Sequence, residues 1–163
     1  TKNGKASFDK KNTKYTTEES DPKYLCAAND LLILLTDLSP SCELLGKPIL
    51  LKPEDGEVLL NQRIAKVTIK SHLDKHFLLQ YFLTDQFHRR IKSTASGSTV
   101  RHSSNNIILD THLVIPENLE EQKKIASFLS TMDDIITAET EQIEQLKLHK
   151  KGLMQGLFPK LND

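Results

Sequence analysis

The chain has 163 residues and a formal net charge of zero; hydrophobic residues make up 37% of it and charged residues 27%. That length suits one modest domain with an appendage, and the zero net charge excludes any inference of a nucleic-acid or membrane partner from bulk charge alone. No apolar run approaches the ~20 residues that a membrane span needs, and no signal peptide is visible. We therefore expect a cytoplasmic protein without a membrane partner, whose two cysteines, Cys26 and Cys42, are buried free thiols.

The first half of the chain predicts a small sheet behind a polar start. Residues 1–23 are rich in Lys, Thr and Ser and predict a loop or a disordered segment. Residues 24–36 form an apolar run of strand length. The sequence from Pro53 to Gly56 is a tight-turn signal between two further strand-like runs, and the second of these continues through the β-branched segment 64–69.

Residues 71–93 change to a helical period and predict one mostly buried helix. Ser71 is a plausible N-cap, with Asp74 three residues later to interact with the exposed amides. A polar loop follows. Residues 107–116, "IILDTHLVIP", then predict one or two short strands that end at Pro116.

The last quarter of the chain predicts a single long helix, about 60 Å from Leu119 to Phe158. Asn118 can cap it, with Glu121 in the first turn. Ten consecutive a and d positions of a heptad repeat hold eight apolar residues, one Glu and one Lys, which is the pattern of a coiled-coil seam. The seam residues are Ile125, Leu129, Met132, Ile136, Glu139, Ile143, Leu146, Lys150, Leu153 and Leu157.

The order of charges on this helix favours an antiparallel partner. The acidic residues come first, between Asp133 and Glu144, and the basic residues follow, between Lys147 and Lys151. An identical antiparallel helix would place Glu139 opposite Lys150, whereas a parallel homodimer would place like charges together. The alternative is that the charge order only complements the helix dipole. Gly152, Gly156 and Pro159 are expected to weaken or end the last turns.

Positive charge is concentrated between Asn61 and His102, where eight Lys or Arg face two Asp, a local charge of +6. Such a block is typical of phosphate contact, although a solvated basic face is the alternative. Polar residues of the loop from Gly97 to Asn106 are suited to phosphates and base edges. The candidate DNA-binding residues are Arg63, Lys66, Arg89, Arg90, Lys92, Ser98, Thr99, Arg101, His102 and Asn105.

The sequence shows no catalytic or metal-binding motif. Its glycines are isolated, so no Gly-rich phosphate loop is present. The cysteines are too far apart for a zinc site. His72 and His76 are spaced for one helix face but have no third ligand. Paired carboxylates such as Asp133 and Asp134 suit a solvated helix better than acid–base catalysis.

Residues 115–158, "IPENLEEQKKIASFLSTMDDIITAETEQIEQLKLHKKGLMQGLF", resemble the helical region of the specificity subunit of type I restriction-modification systems. The upstream domain resembles the second part of a target recognition domain, and the likeness covers about residues 24–158. The matching features are Ile115–Pro116, Glu121–Gln122, Ile125–Ala126, Gly152–Met154, Asp30–Ile33, Asn61–Ile64, the helix "FLLQYFLTDQFHRRI" and Gly97–Thr99.

This resemblance implies a fold and a function. The fold class is α+β: a small mixed α/β target recognition domain with a twisted sheet (residues 1–116), one long helix that pairs antiparallel as a coiled coil (117–158), and a tail (159–163). Such subunits carry two recognition domains, each reading half of a split sequence in double-stranded DNA. Their helices dock the methyltransferase subunits, and the nuclease/translocase subunits join that core.

The resemblance further implies no catalytic residue and no cofactor, since such subunits bind neither S-adenosylmethionine nor ATP. Only one recognition domain and one long helix are present here, and the front of the domain is short. We therefore expect a half subunit or a fragment that forms an antiparallel homodimer or pairs with a second specificity half. The alternatives are the recognition half of a fused type II restriction-methylation enzyme, and a coiled-coil adaptor that does not bind DNA.

Overall fold

The computed structural model describes residues 6, 8, 11, 13–39, 41–98 and 100–158. Within these residues the chain forms seven short strands and four α-helices. The strands are β1 (Leu25–Cys26), β2 (Leu31–Leu34), β3 (Thr36–Asp37), β4 (Pro48–Leu50), β5 (Val58–Leu59), β6 (Ile64–Lys66) and β7 (Arg101–His102). The helices are α1 (Lys75–Tyr81), α2 (Asp85–Ser93), α3 (Asn105–Leu109) and α4 (Leu119–Leu157).

The described strands divide among three small antiparallel sheets, with the orders β1-β5, β4-β2-β6 and β3-β7. The α+β class predicted from the sequence is confirmed, although the strands form three separate ladders rather than one sheet. The predicted turn at Pro53 to Gly56 is also confirmed: Pro53–Asp55 form a 3-10 turn, and Gly56 follows with a φ of +73°.

Strand β2 lies at the centre of the domain, and both of its faces are buried. Leu31 and Ile33 pack on one side in a cluster with apolar residues of α1 and α2. Leu32 packs on the opposite side with Cys26, Ile49 and Leu51. Successive side chains of a strand point to opposite faces, so a strand covered on both sides has no polar position. This explains the continuous apolar run in the sequence.

The single helix predicted over residues 71–93 is wrong in its extent. Asp74, rather than Ser71, is the N-cap, and its carboxylate accepts a hydrogen bond from the Phe77 amide. The helix stops after Tyr81 and a second one begins at Asp85. Thr84 separates them, because its hydroxyl donates to the Tyr81 carbonyl and accepts from the Phe87 amide. Threonine is a strong N-cap, and it starts a new helix here.

The strands predicted after the polar loop are also wrong. Residues 105–109 form the short helix α3, and Ser104 caps it by accepting a hydrogen bond from the Ile107 amide. Residues 111–116 have no regular secondary structure. The apolar side chains of Ile107, Ile108 and Leu113 pack against the cluster that contains Ile33. This packing explains an apolar run that looked like a strand.

Helix α4 begins where the sequence predicted. The Asn118 side chain accepts a hydrogen bond from the Glu120 amide, as a cap should. The helix passes through Gly152 and Gly156 and ends at Leu157, so glycine alone does not stop it. The chain divides into two compact units, residues 1–127 and 128–163. The first two turns of α4 thus belong to the first unit. The predicted tail, 159–163, lies outside the described residues.

Candidate nucleic-acid interface

Helix α2 presents its cations to solvent. Phe87 and Ile91 are buried on its inner side, which leaves Arg89, Arg90 and Lys92 exposed. None of these three forms an ion pair with any described carboxylate. Their charges are therefore free to meet an external anion.

Lys66 of β6 is differently placed. Its ammonium group lies 2.6 Å from the Asp30 carboxylate, and this hydrogen-bonded pair raises the pKa of Lys66. Burial opposes the ionised form of Asp30, but hydrogen bonds from Lys66 and the Ala27 amide outweigh it and lower the pKa of that carboxyl. Lys75 donates to the Asn29 carbonyl in the same turn. Of the predicted DNA-binding residues, Lys66 thus already has an internal counter-ion.

Two concave surfaces, each with a volume of about 700 Å³, are lined by residues of the turn that enters β6. Asn61 and Gln62 line both of them. Lys66 and Asn105 lie on the first surface. The second is lined by Arg63 together with residues of the polar N-terminal segment, among them Lys14 and Tyr15.

This neighbourhood also contains polar residues that are not among the predicted DNA-binding residues. Asn61 and Gln62 are exposed amides beside Arg63, and the Asn61 side chain accepts a hydrogen bond from the Arg63 amide. Amide side chains in a turn next to an arginine are a pattern from which the sequence alone could have identified these candidate residues. Lys14 and Tyr15 gave no such signal, because only the tertiary structure brings them to the surface that Arg63 also lines.

The loop before β7 is held in a defined shape. Ser96 and His102 exchange two backbone hydrogen bonds, of 3.0 and 2.9 Å. Gly97 between them has a φ of +99°, and a Cβ there would lie 2.1 Å from the Val100 carbonyl oxygen. Only glycine fits that position. Ser98 is exposed, whereas Thr99 lies outside the described residues.

Strand β7 places Arg101 opposite Asp37 of β3. The Arg101 Nε is buried with no hydrogen-bond partner among the described residues, and so is the Ser103 hydroxyl. Asp37 is itself buried. Burial alone would raise the pKa of its carboxyl, but hydrogen bonds from the Ser39 and Leu44 amides, of 2.7 and 2.6 Å, outweigh burial and lower it.

The seam of α4 is exposed along most of its length. Ile125 is half-buried, and the seven apolar seam residues after it are 38–75% exposed. Glu139 and Lys150 lie on the same stripe, also exposed. Apolar side chains lie off the seam as well, including Phe128 and Leu148.

The structure thus distributes the predicted DNA-binding residues over three surfaces: the outer face of α2, the turn and strand around β6, and the β7 loop. His72 precedes α1 and His76 lies within it, so the two do not share a helix face. Within the described ranges no group of three or more His, Cys, Asp or Glu side chains could hold a metal ion. No helix in the described part of the chain is long and apolar enough to span a membrane.

A small α+β domain with exposed cations, continued by a long helix with an exposed apolar seam, has the surfaces of a binding module. The chain belongs to the family described as the type I restriction modification DNA specificity domain, whose model matches residues 1–148. The resemblance predicted from the sequence is confirmed by this match.

Two curated relatives come from Methanocaldococcus jannaschii. One is the type I restriction enzyme MjaVIII specificity subunit, 28% identical over 110 residues, which cover 67% of this chain and 26% of the relative. The other is the putative type I restriction enzyme MjaX specificity subunit, 39% identical over 92 residues, which cover 56% of this chain and 21% of the relative. The chain therefore matches about a quarter of the length of these relatives.

A similar solved structure is that of the type I restriction-modification system S subunit from M. genitalium. The TM-score is 0.61 at 19% sequence identity, and the match covers 81% of this chain and 33% of the other. This likeness concerns the fold alone.

Proposed function

We propose that this chain is a non-catalytic DNA-recognition component of a type I restriction-modification complex. Its domain would bind half of a bipartite target in double-stranded DNA. Its long helix would pair antiparallel with an identical chain or with a second specificity half, and would dock the methyltransferase subunits. The nuclease/translocase subunits would join that core. Because the target is DNA, the proposal places the protein in the cytoplasm.

The family match over residues 1–148 is the observation that carries this proposal, because it covers the domain and most of α4 together. The geometry adds support of a different kind. Unpaired, exposed cations on α2 are what phosphate contact requires. Lys66 is the weakest of the predicted contacts, since it would have to leave Asp30 or bind together with it.

The exposed seam of α4 supports the proposed pairing. Soluble proteins rarely leave a continuous apolar stripe uncovered, and seven apolar side chains of the seam are exposed here. An antiparallel copy would cover them and would give Glu139 and Lys150 opposite charges as neighbours. Phe128 and Leu148, which lie off the seam, would remain available for a methyltransferase subunit.

The DNA-binding proposal is tested with the double variant Arg89→Gln/Arg90→Gln. We expect the wild-type chain to bind duplex DNA with an affinity that falls as salt rises. The slope of log affinity against log salt reflects about 0.9 for each phosphate that the protein neutralises, so the variant should lower it by about 2 if both arginines bind phosphates. Fluorescence anisotropy over a salt series measures this slope.

Lys52→Gln is the matched control, because Lys52 is an exposed cation outside the proposed surface. It should leave the slope unchanged. Wild-type protein without any salt-sensitive affinity for duplex DNA would refute the proposed function and favour the adaptor. Binding that the arginine variant does not alter would remove α2 from the interface.

A further inference from the structure

Gln122 is a fully buried polar residue in the first turn of α4, with 0% of its surface exposed. Its Oε1 accepts a hydrogen bond of 2.8 Å from the Asp74 amide. Its Nε2 donates to the His72 carbonyl at 3.0 Å and to the Pro116 carbonyl at 2.8 Å. One side chain thus satisfies three backbone groups, and a primary amide supplies both the donors and the acceptor that they need.

These bonds join segments that are far apart in sequence. His72 and Asp74 belong to the turn that starts α1, where Asp74 is the N-cap. Pro116 belongs to the irregular segment that leads into α4. The amide of an N-cap residue has no partner within its own helix, so Oε1 supplies the acceptor that this amide needs. Ala126, one turn after Gln122, is also buried, so this face of α4 is buried at two successive turns.

We infer that Gln122 is a positioning residue: its three hydrogen bonds fix the first turn of α4 to the domain, and we call this attachment the lock. The lock thereby narrows the range of spacer lengths, in base pairs of DNA, that are accepted between two half-sites. Only the effect on spacer length rests on the proposed function. The lock itself depends on three hydrogen bonds within the first compact unit, residues 1–127.

The chemistry of the side chain makes the inference specific. Gln122→Met keeps the length of the side chain but offers neither donor nor acceptor, so three part-buried backbone groups lose their partner. Gln122→Glu keeps the acceptor but turns a carboxylate toward two carbonyl oxygens. Protonation gives that carboxyl one O–H donor, so low pH should restore part of the lock in this variant.

Hydrogen exchange of the full chain, measured by NMR, tests the lock. In Gln122→Met the protection of the Asp74 amide should fall by about tenfold or more, the change expected from losing its one hydrogen bond to Gln122. Gln145→Met is the matched control, because Gln145 is an exposed glutamine on the same helix. It should leave Asp74 protected. If the Met variant does not fold, Gln122→Glu replaces it. Repulsion between its carboxylate and the His72 and Pro116 carbonyl oxygens should displace the side chain and lower the protection of Asp74 at neutral pH, and protonation of the carboxyl should raise that protection.

A spacer assay tests the consequence for DNA. Duplexes that the wild-type chain selects from a random-sequence library are re-synthesised with the gap between half-sites one to three base pairs shorter or longer. The wild type should bind one spacer at least tenfold better than the others. Gln122→Met should bind all of them within about threefold, while its affinity for a single half-site stays within twofold. A loss of overall stability alone would instead lower the affinity for duplexes with two half-sites and the affinity for a single half-site together.

The two parts of the inference, the lock and its effect on spacer length, can be refuted separately. Unchanged protection of Asp74 in both Gln122 variants would overturn the lock, whatever the DNA result. A normal spacer preference in Gln122→Met would overturn the role in spacing. Wild-type protein that selects no duplex would refute the proposed function, and with it the spacing role, but the exchange of Asp74 would still decide whether Gln122 locks the helix.

Discussion

Replacing Ile143 by aspartate should separate the proposed antiparallel dimer into monomers. Ile143 lies in the middle of the seam, where the proposed register places it opposite Leu146 of the other copy. It is 50% exposed in the single chain. Because fully burying such a side chain is worth about 1.5–3 kcal/mol, the half that pairing would cover contributes about 1 kcal/mol per copy.

The aspartate adds a second cost. Each dimer loses two isoleucines, about 2 kcal/mol together, and gains two carboxylates that face apolar side chains. An unpaired buried charge costs several kcal/mol in real proteins. A total of about 4 kcal/mol or more corresponds to an increase of about a thousandfold in the dissociation constant. Sedimentation equilibrium over a wide concentration range measures that constant directly.

Leu148→Asp is the control for this experiment. Leu148 is 62% exposed on the same helix but lies off the seam, so the same substitution should leave the dimer intact. A wild-type mass for Ile143→Asp would refute the seam, and equal dissociation of both variants would show that the heptad does not define the contact. Wild-type protein that stays monomeric would leave only a second specificity half as the partner.

Two further predictions concern charge. Glu139→Lys should weaken self-association by about tenfold, and adding Lys150→Glu should restore the association. A parallel dimer would barely respond to Glu139→Lys, because the substitution would only exchange one like-charge contact for another. The hydrogen-bonded Asp37 carboxylate, whose pKa is lowered from 3.8, stabilises the fold above that value and loses this contribution as pH falls through its folded pKa. Asp37→Asn should therefore cost about 1–3 kcal/mol in urea unfolding at neutral pH and flatten the loss of stability in acid; parallel pH profiles would contradict this.

The sequence by itself determined the parts of the protein that depend on near neighbours in the chain. The Asn118 cap, the uninterrupted run of helix formers after it and the period of the seam all predict α4, and the structure has that helix. The turn at Pro53 to Gly56 was likewise readable, because proline and glycine restrict or free the backbone locally. Helix and turn hydrogen bonds close within a few residues, so local composition is enough to predict them.

Only the tertiary structure determined which contacts form between segments that are distant in sequence. The run at Ile107 and Ile108 looked like a strand, but it is the partly buried side of a short helix, since packing against the core outweighs local preference. Lys66 and Arg89 looked equivalent in the basic block, yet only Lys66 has Asp30 beside it. Gln122 looked like one more polar helix residue until its partners 48 and 50 positions earlier were known. Such contacts form between residues that the fold brings together, and no local pattern records them.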